Sequence, residues 1–333
     1  MIRLNKMSMN IWQQLPKPIF VLAPMADVTD AAFRAIINKY GQPDLFFTEF
    51  VSADGLVHPT GREKLKRELY FTSAERPIIA QLFGGEPAKM KAAATYVATL
   101  GFAGIDLNMG CPDRSVERQQ AGASLIKDPA RAVALIEAVK EGAGGLPVSV
   151  KTRIGYNHNE LATWTESLLK AEPAAITFHL RTRKEMSKVS ARWEDIKLPV
   201  ALAAGSQTLI LGNGDVKNLK EAREKVREYD VAGVMLGRAI YGNPWLWSER
   251  TPALPERLAV LKEHTNLFWD LYGPTETNLK LFNGHRKSFA VMKKHFKAYV
   301  EGFAGAAELR ADLMKEETAA GVAAVLDSFL ATG

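Results

Sequence analysis

Residues 105–112 read IDLNMGCP, an apolar run that stops at Asn108 and turns at once through Gly-Cys-Pro. This pattern is typical of a buried parallel strand whose carboxyl end leads into a functional loop. Cys111 is the only cysteine among 333 residues, so it makes no internal disulfide. It is either an inert buried thiol or a reactive group, and its place in a loop at a strand end favours the second interpretation.

Short apolar runs recur along the chain, and segments with helical periodicity separate them. The runs are continuous rather than alternating, which indicates strands that are buried on both faces. We predict strands at residues 19–23, 45–49, 78–82, 104–108, 148–151, 174–179, 209–211 and 233–236. We predict helices between them at residues 30–40, 87–100, 129–141, 161–170 and 219–228.

Eight strands that alternate with helices over about 245 residues have the count and size of a (β/α)8 TIM barrel. A doubly wound sheet is the competing fold, but no G-x-G-x-x-G follows any predicted strand. Strand seven has two candidates, residues 200–203 and 209–211. We choose the second because it runs straight into a polar Gly-Asn-Gly-Asp turn, and we assign the first to a helix that starts near Pro199.

The pattern changes after Trp247, where Pro252 and Pro255 mark a linker. Beyond it we predict only helices, at residues 255–272, 281–299, 306–315 and 319–331. The chain therefore divides into an α/β barrel at residues 1–248 and a small all-α helical bundle at residues 249–333.

Hydrophobic residues make up 47% of the chain and charged residues 24%, as in an ordinary globular protein. No apolar stretch approaches the roughly 18 residues of a spanning helix, so we expect no membrane segment. Arg3 and Lys6 precede no long apolar run, so we expect no signal peptide, and one cysteine fits a reducing cytoplasm. The net charge of +6 suggests a polyanionic partner without establishing one.

Functional residues in a barrel gather at the carboxyl ends of its strands, and nearly every predicted strand here ends in a polar or cationic residue. The loops after strands seven and eight frequently hold phosphate, so two glycine-containing turns there indicate a phosphorylated cofactor. The residues at these ends are Ala23, Pro24, Met25, Glu49, Gln81, Asn108, Cys111, Lys151, Arg153, His179, Arg181, Arg183, Asn213, Gly214, Asp215, Gly237 and Arg238.

Two other kinds of chemistry lack support in the sequence. The six histidines and one cysteine show no metal-ligand spacing such as H-E-x-x-H, so we expect no metal. A G-x-S-x-G nucleophile turn is also missing.

A basic segment stands out near the C-terminus, with aromatic residues interleaved. It is either a solvated helix face or a groove that follows phosphates and offers stacking surfaces. Its cationic residues are Arg286, Lys287, Lys293, Lys294 and Lys297.

Together these motifs resemble the tRNA-dihydrouridine synthases of bacterial type, from about Ala23 to Met314. Each motif alone is weak, but their ordered set is highly specific. The matching stretches are APM at 23–25, QLFG at 81–84, LNMGCP at 107–112, VKTR at 150–153, GNGD at 212–215, GR at 237–238, GNPW at 242–245, KKHF at 293–296 and AELR at 307–310.

The resemblance implies an FMN-dependent oxidoreductase that reduces one uridine of tRNA to 5,6-dihydrouridine, with NADPH or NADH as reductant. It implies that Cys111 donates a proton to C5 while hydride reaches C6. Asn108, Arg153 and Arg183 would bind the uracil. The five cations of the basic segment would bind tRNA. The residues that would bind FMN are Ala23, Pro24, Met25, Gln81, Lys151, His179, Asn213, Gly214, Asp215, Gly237 and Arg238.

The chain departs from the family pattern in two places. Leu180 follows the barrel histidine where the family usually has glycine, and we expect its side chain to narrow the phosphate site or alter the loop. The stretch 193–212 is longer than usual, and we expect an added helix before strand seven.

Two other functions remain open at this stage. One is an FMN barrel that acts on a free pyrimidine, as dihydroorotate dehydrogenases do, and the basic helical segment argues against it. The other is a tRNA-binding protein without catalysis, against which Cys111 and the cofactor-type loops argue. We expect a monomer.

Overall fold

The computed structural model describes residues 10–332, so the predictions made on Arg3 and Lys6 lie outside the described residues. Within this part of the chain, eight parallel strands form one sheet in the order β1-β8-β7-β6-β5-β4-β3-β2. A bridge between Val21 and Leu45 joins the first strand to the second and closes the barrel. The strands are β1 Ile19–Leu22, β2 Phe46–Ser52, β3 Ile78–Phe83, β4 Gly104–Met109, β5 Val148–Arg153, β6 Ala175–His179, β7 Leu209–Asn213 and β8 Gly233–Leu236.

Helices surround the barrel and continue beyond it. The α-helices are α1 Ile11–Gln14, α2 Ala31–Tyr40, α3 Ala53–Val57, α4 Pro59–Leu69, α5 Pro87–Ala98, α6 Arg114–Glu117, α7 Pro129–Gly142, α8 Leu161–Leu169, α9 Lys197–Leu202, α10 Leu219–Tyr229, α11 Leu254–Tyr272, α12 Glu276–Phe282, α13 Met292–Tyr299, α14 Ala306–Leu313 and α15 Ala319–Thr332. Short 3-10 helices lie at Ser73–Glu75, Gly122–Lys127, Trp193–Ile196, Arg238–Ile240, Leu246–Ser248 and Phe289–Val291.

Side chains alternate between the barrel interior and the surrounding helices along each strand. In β4, Ile105, Leu107 and Met109 join the apolar layer between sheet and helices. The Asp106 carboxylate accepts hydrogen bonds from Gln81 of β3 and Ser149 of β5 inside the barrel. At the other end of the barrel, Trp12 of α1 packs among the first apolar residues of the strands, including Phe47. The amino end is thus filled, and the polar residues gather at the carboxyl end.

The barrel, its eight strands and the choice of residues 209–211 for strand seven are confirmed. Pro199 lies in α9, as predicted for the segment before that strand. The prediction of one helix over residues 281–299 is wrong. Asn283 and Gly284 take positive φ angles of 51° and 75°, which end α12, and a new helix begins only at Met292.

The helical region packs directly on the barrel through α11. The Tyr272 hydroxyl accepts a hydrogen bond from the Ala31 backbone N–H at 3.1 Å, and Glu263 accepts from Lys39 and from the Tyr40 hydroxyl, each at 2.7 Å. One apolar core runs through both regions, and the division at residues 248 and 249 stays a prediction. None of the helices within residues 10–332 has the length and apolar character needed to span a bilayer.

Candidate functional site

A cleft of about 630 Å³ opens at the carboxyl ends of the strands. It brings together eleven residues that the sequence singled out: Ala23, Pro24, Met25, Lys151, Arg153, His179, Asn213, Gly214, Asp215, Gly237 and Arg238. The site assignment did not include seven further lining residues: Arg181, Met186, Ser187, Val216, Lys217, Met235 and Ala239. Arg181 is one of the predicted strand-end residues, and its charge is the sequence signal that points to this cleft.

Lys151 is a cation of the cleft that makes no ion pair within the described residues. The parallel register places Lys151 of β5 opposite Asn108 of β4. Its ammonium has one long hydrogen bond, 3.4 Å to Oδ1 of Asn213. Among residues 10–332 no carboxylate lies at ion-pair distance from it. Burial, followed by the charge of Arg153, lowers the pKa of Lys151 to about 8. An anionic ligand here would restore the full charge.

His179 lies beside Lys151 on the next strand, and it is neutral. Burial, aided by the charges of Lys151 and Arg153, holds the pKa of His179 well below its usual range. Arg181 can only donate, so its Nη1 gives a hydrogen bond to Nε2 of His179 at 3.1 Å. The ring proton of the neutral histidine therefore resides on Nδ1. Arg181 is itself fixed by donating to the Val189 carbonyl at 2.6 Å.

The loops after β7 and β8 form a glycine-lined, cationic cradle. Gly214 has a φ of +133°, and a Cβ there would come within 2.7 Å of the Ala191 Cβ, so the turn requires glycine. A Cβ on Gly237 would meet only Ala23 and Met25, both 3.7 Å away and both part of the cleft lining. The missing side chain at Gly237 therefore leaves room inside the cleft itself.

Asp215 holds two arginines at this cradle. It accepts hydrogen bonds from Arg181 and, at 2.8 Å, from Nη2 of Arg238. Burial acts to raise the pKa of Asp215, but the hydrogen bond from Arg181 and the charges of both arginines outweigh it, so this pKa is lowered. The carboxylate is ionised and orients two guanidinium groups beside the glycines. The Arg238 side chain is still 60% exposed and free to reach a ligand phosphate.

Cys111 is half-buried in the loop that follows β4. Its backbone N–H donates to Oδ1 of Asn108 at 2.9 Å, and the Gly110 N–H donates to the same atom at 3.1 Å. Arg153 donates from Nε to the Gly110 carbonyl at 2.8 Å. Burial raises the pKa of the Cys111 thiol, so the thiol is protonated at neutral pH. The group can therefore act as a proton donor.

Four predicted site residues of the barrel lie outside the cleft lining: Gln81, Asn108, Cys111 and Arg183. Gln81 is wholly buried, and its amide bonds Asp106 and Asn108 inside the barrel. Arg183 donates from Nε to Glu117 at 2.9 Å and from Nη2 to the Pro112 carbonyl at 3.4 Å. Arg183 thus braces the Cys111 loop from the side.

The predicted basic segment divides into exposed and buried cations. Arg286, Lys294 and Lys297 are exposed, and Lys293 is half-buried. Lys287 is different, because only 5% of its side chain is exposed and its ammonium is bound by Glu49 and Glu68 of the barrel. The two carboxylates satisfy this cation, so we remove Lys287 from the expected tRNA-binding set.

The two departures from the family pattern have clear structural outcomes. The Leu180 side chain is wholly buried in the apolar core and does not line the cleft, so the expectation that it narrows the site is wrong. Alternation along the chain turns it away from the neighbouring His179. Residues 193–212 contain the 3-10 helix Trp193–Ile196 and the helix α9, and Trp193 donates from Nε1 to the Gly214 carbonyl at 2.9 Å. This segment therefore supports the cradle.

Within residues 10–332, the structure groups no three histidine, cysteine or acidic residues as metal ligands. The fold and the cleft define a barrel enzyme with a cationic, glycine-lined pocket and a protonated thiol near two of its cations, Lys151 and Arg153.

Comparison with known proteins identifies the family. The family model described as "Dihydrouridine synthase (Dus)" matches residues 21–332. A "Probable tRNA-dihydrouridine synthase" of Staphylococcus aureus (strain COL) is 40% identical over 330 residues, which cover 97% of this chain and 96% of the relative. The "Probable tRNA-dihydrouridine synthase 2" of Bacillus subtilis (strain 168) is 41% identical over 331 residues, 97% of each chain. The chain belongs to the dihydrouridine synthase family.

Solved structures share the fold at low identity. A 2-naphthoyl-CoA reductase complex matches with a TM-score of 0.53 and 11% identity, over 69% of this chain and 49% of that one. A histamine dehydrogenase from Rhizobium sp. 4-9 matches with a TM-score of 0.50 and 12% identity, over 78% of this chain and 51% of that one. These likenesses show the fold alone.

Proposed function

We propose that this protein reduces a specific uridine of tRNA to 5,6-dihydrouridine. The relatives that cover nearly the whole chain carry the name of that activity. The observation that carries the proposal is a pair of neighbouring groups: Lys151, a buried cation of the cleft that makes no ion pair within residues 10–332, and Cys111, a half-buried thiol beside the cleft that stays protonated. The first fits an anionic cofactor, and the second fits a proton donor to carbon.

The cleft fits FMN as the cofactor. Gly214, Gly237 and Arg238 suit its phosphate, since backbone groups can approach closely and the guanidinium can fork onto oxygens. Lys151 suits the electron-rich end of the ring, and neutral His179 offers its Nδ1–H as a donor. When bound and reduced by NADPH or NADH, FMN would supply hydride to C6 of the uracil.

Cys111 completes the reduction by giving its proton to C5. Hydride at C6 and a proton at C5 together balance the two-electron reduction of one C=C bond. The thiol must be protonated for this step, and its raised pKa keeps it so at neutral pH. The Asn108 side chain accepts hydrogen bonds from the Gly110 and Cys111 backbone N–H groups, and it thereby holds the loop that carries the thiol.

Arg153 would bind the uracil. It lines the cleft, and its guanidinium donates hydrogen bonds to the Gly110 and Thr182 carbonyls, which fix its position. We keep Asn108 and Arg183 as further uracil contacts, reached when the target base leaves its stack and enters the cleft. Met186 also lines the cleft and is 40% exposed, so it offers an apolar face to the base.

The rest of the tRNA would lie along the exposed cations of α13. Lys294 lies 3.6 Å from Asp27, which follows the cleft residue Met25 by two positions. A phosphate backbone that contacts Lys294 and Lys297 is therefore adjacent to the cleft rim. We further propose that Arg286 and Lys293 contribute, and that the protein acts in the cytoplasm as a monomer.

The deciding experiment maps dihydrouridine in tRNA from a host that lacks all its own synthases, with and without this gene. We expect dihydrouridine at defined positions only when the gene is present, which would also name the target uridine. Abundant flavin-loaded protein without any dihydrouridine would contradict the proposal and favour a free pyrimidine as substrate. A protein that neither binds added FMN nor forms dihydrouridine would contradict both enzymatic functions.

A further inference from the structure

A row of hydrogen-bonded polar side chains crosses the barrel interior beneath the cleft. The parallel register sets Gln81 of β3 opposite Asp106 of β4, and Asp106 opposite Ser149 of β5. All three residues are at most 2% exposed. Gln81 donates from Nε2 to Oδ2 of Asp106 at 2.7 Å, and Ser149 donates from Oγ to Oδ1 at 2.6 Å.

The row continues from Gln81 to the loop that carries the thiol. Oε1 of Gln81 accepts a hydrogen bond from Nδ2 of Asn108 at 3.0 Å. Oδ1 of Asn108 in turn accepts from the backbone N–H groups of Gly110 and Cys111. Asp106 is thus linked to the Cys111 backbone through two side-chain amides.

The direction of these bonds is set at both ends of the row, by the loop N–H groups, which can only donate, and by Asp106. An amide offers a donor on one side and an acceptor on the other, so Gln81 and Asn108 could each be turned around. If Asn108 turned, its NH2 would face the two backbone N–H groups of the loop, and both bonds would be lost. An ionised carboxylate can only accept, so Asp106 fixes the orientation of Gln81 and, through it, that of Asn108.

The charge state of Asp106 agrees with this arrangement. Burial raises the pKa of Asp106 to about 6, and the hydrogen bonds from Ser149 and Gln81, with the charge of Lys151, oppose a further rise. The carboxylate is therefore ionised at neutral pH, where it accepts both hydrogen bonds.

We propose that Asp106 is a positioning residue for Cys111: by accepting from Gln81 it orients Asn108, which anchors the backbone N–H of Cys111 and holds the thiol where it donates its proton. The inference rests on the proposed function and deepens it. It assigns to Asp106 a role in proton donation, beyond that of a buried partner for Ser149 or a counter-charge for Lys151.

Two substitutions at Asp106 separate these roles. Asp106→Asn keeps an oxygen for Gln81 and turns its new NH2 toward the Ser149 hydroxyl, which can accept, so the row survives without the charge. Asp106→Leu removes the acceptor. We expect Asp106→Leu to lower kcat about 100-fold through misplacement of the thiol, with the bound-flavin absorbance unchanged. We expect Asp106→Asn to stay near the parent kcat.

Alkylation of Cys111 gives a readout that does not need turnover. Cys111 is the only cysteine in the chain, so mass spectrometry after iodoacetamide treatment of the flavin-loaded protein reports this thiol alone. We expect faster alkylation in Asp106→Leu, because its loop has lost its anchor, and an unchanged rate in Asp106→Asn. Ser149→Ala is the matched control, since it removes a partner of Asp106 but leaves the path to Cys111 intact.

A paired exchange tests the direction of the row. Asn108→Asp alone places a carboxylate on each side of Gln81, whose single NH2 can serve only one of them. Combined with Asp106→Asn, it lets Gln81 turn around while position 108 still accepts from both loop N–H groups. We expect faster alkylation in the single variant and the parent rate in the double variant. Turnover is not used here, because Asn108 is proposed to touch the substrate.

The outcomes are distinct. A kcat for Asp106→Asn as low as that for Asp106→Leu would show that charge matters rather than the hydrogen bond, and would overturn the proposal. Unchanged alkylation in Asp106→Leu would also overturn it. If Asp106→Leu does not fold, the test is the comparison of Asn108→Asp with the double variant. A double variant that alkylates as fast as Asn108→Asp alone would then overturn the proposal. A parent protein that forms no dihydrouridine defeats the proposed function alone, since the alkylation pattern still tests the row.

Discussion

Cys111 gains its chemical role from two opposing influences on one sulfur atom. Burial raises the pKa of the thiol, while a hydrogen bond from the Asp113 backbone and the nearby charges of Arg153 and Lys151 lower it by less. The thiol therefore stays protonated and can donate. We predict that Cys111→Ala lowers the rate of dihydrouridine formation by about 10²–10⁴-fold, the usual worth of a positioned general acid. Single-turnover assays with reduced, flavin-loaded protein would measure it.

The same substitution should leave binding intact, because the thiol is not part of the cationic cradle. Flavin absorbance and tRNA affinity of the Cys111→Ala variant serve as its controls. Equal turnover in variant and parent would mean that another group supplies the proton to C5.

At the scale of helices, two histidines are buried where α11 and α13 meet α2. The rings of His264 and His295 lie 4.5 Å apart between centroids, and both contact Phe33. Within the described residues, both ring nitrogens of His264 lack a hydrogen-bond partner, and so does Nε2 of His295. Burial, with the charge of Lys294, lowers the pKa of His295 to about 3, and burial with His295 lowers that of His264.

These shifts predict an acid-sensitive junction. The unfolded chain binds protons at histidine below about pH 6.5, whereas the folded chain resists them, so stability falls as pH drops below that value. Each histidine contributes a slope of about 1.4 kcal/mol per pH unit there. We predict that His295→Phe flattens the loss of unfolding free energy between pH 6.5 and 5, as measured by urea unfolding. His158→Phe, at a side chain 76% exposed, should leave the slope unchanged. Equal slopes in all three proteins would contradict the prediction.

At the scale of the whole molecule, the proposed tRNA surface includes the cleft and α13, which approach each other where Lys294 lies 3.6 Å from Asp27. We predict that the double substitution Lys294→Ala and Lys297→Ala weakens tRNA binding and reduces the slope of log Kd against log salt by about 1 per lysine. Binding titrations at several salt concentrations would measure both quantities.

The matched control uses two exposed cations at the opposite end of the barrel, Lys170 after α8 and Arg227 in the last turn of α10. Their double replacement by alanine removes the same charge from the molecule. It should shift tRNA affinity only slightly. If both pairs behave alike, net charge rather than α13 governs binding.

Much of this architecture could be read from local patterns. Continuous apolar runs marked the eight strands, and their polar ends marked most of the cleft, because the carboxyl ends of parallel strands meet at one rim. Local patterns do not predict contacts between segments that are distant in the sequence. Lys287 looked like its exposed neighbours, yet its ammonium binds two barrel carboxylates. The direction of Leu180 and the hydrogen bonds of Gln81 depend on register, which only the assembled sheet defines.

The pairing of Lys287 with Glu49 and Glu68 has a consequence for hybrid proteins built from members of this family. The lysine comes from the helical region, and both carboxylates come from the barrel. A helical region without this lysine would leave the two buried carboxylates without their cation, at a cost of several kcal/mol. A workable chimera must carry the three residues together. The residues exchanged to transfer tRNA specificity are therefore chosen by their contacts with this charge cluster, and not by a single boundary in the sequence.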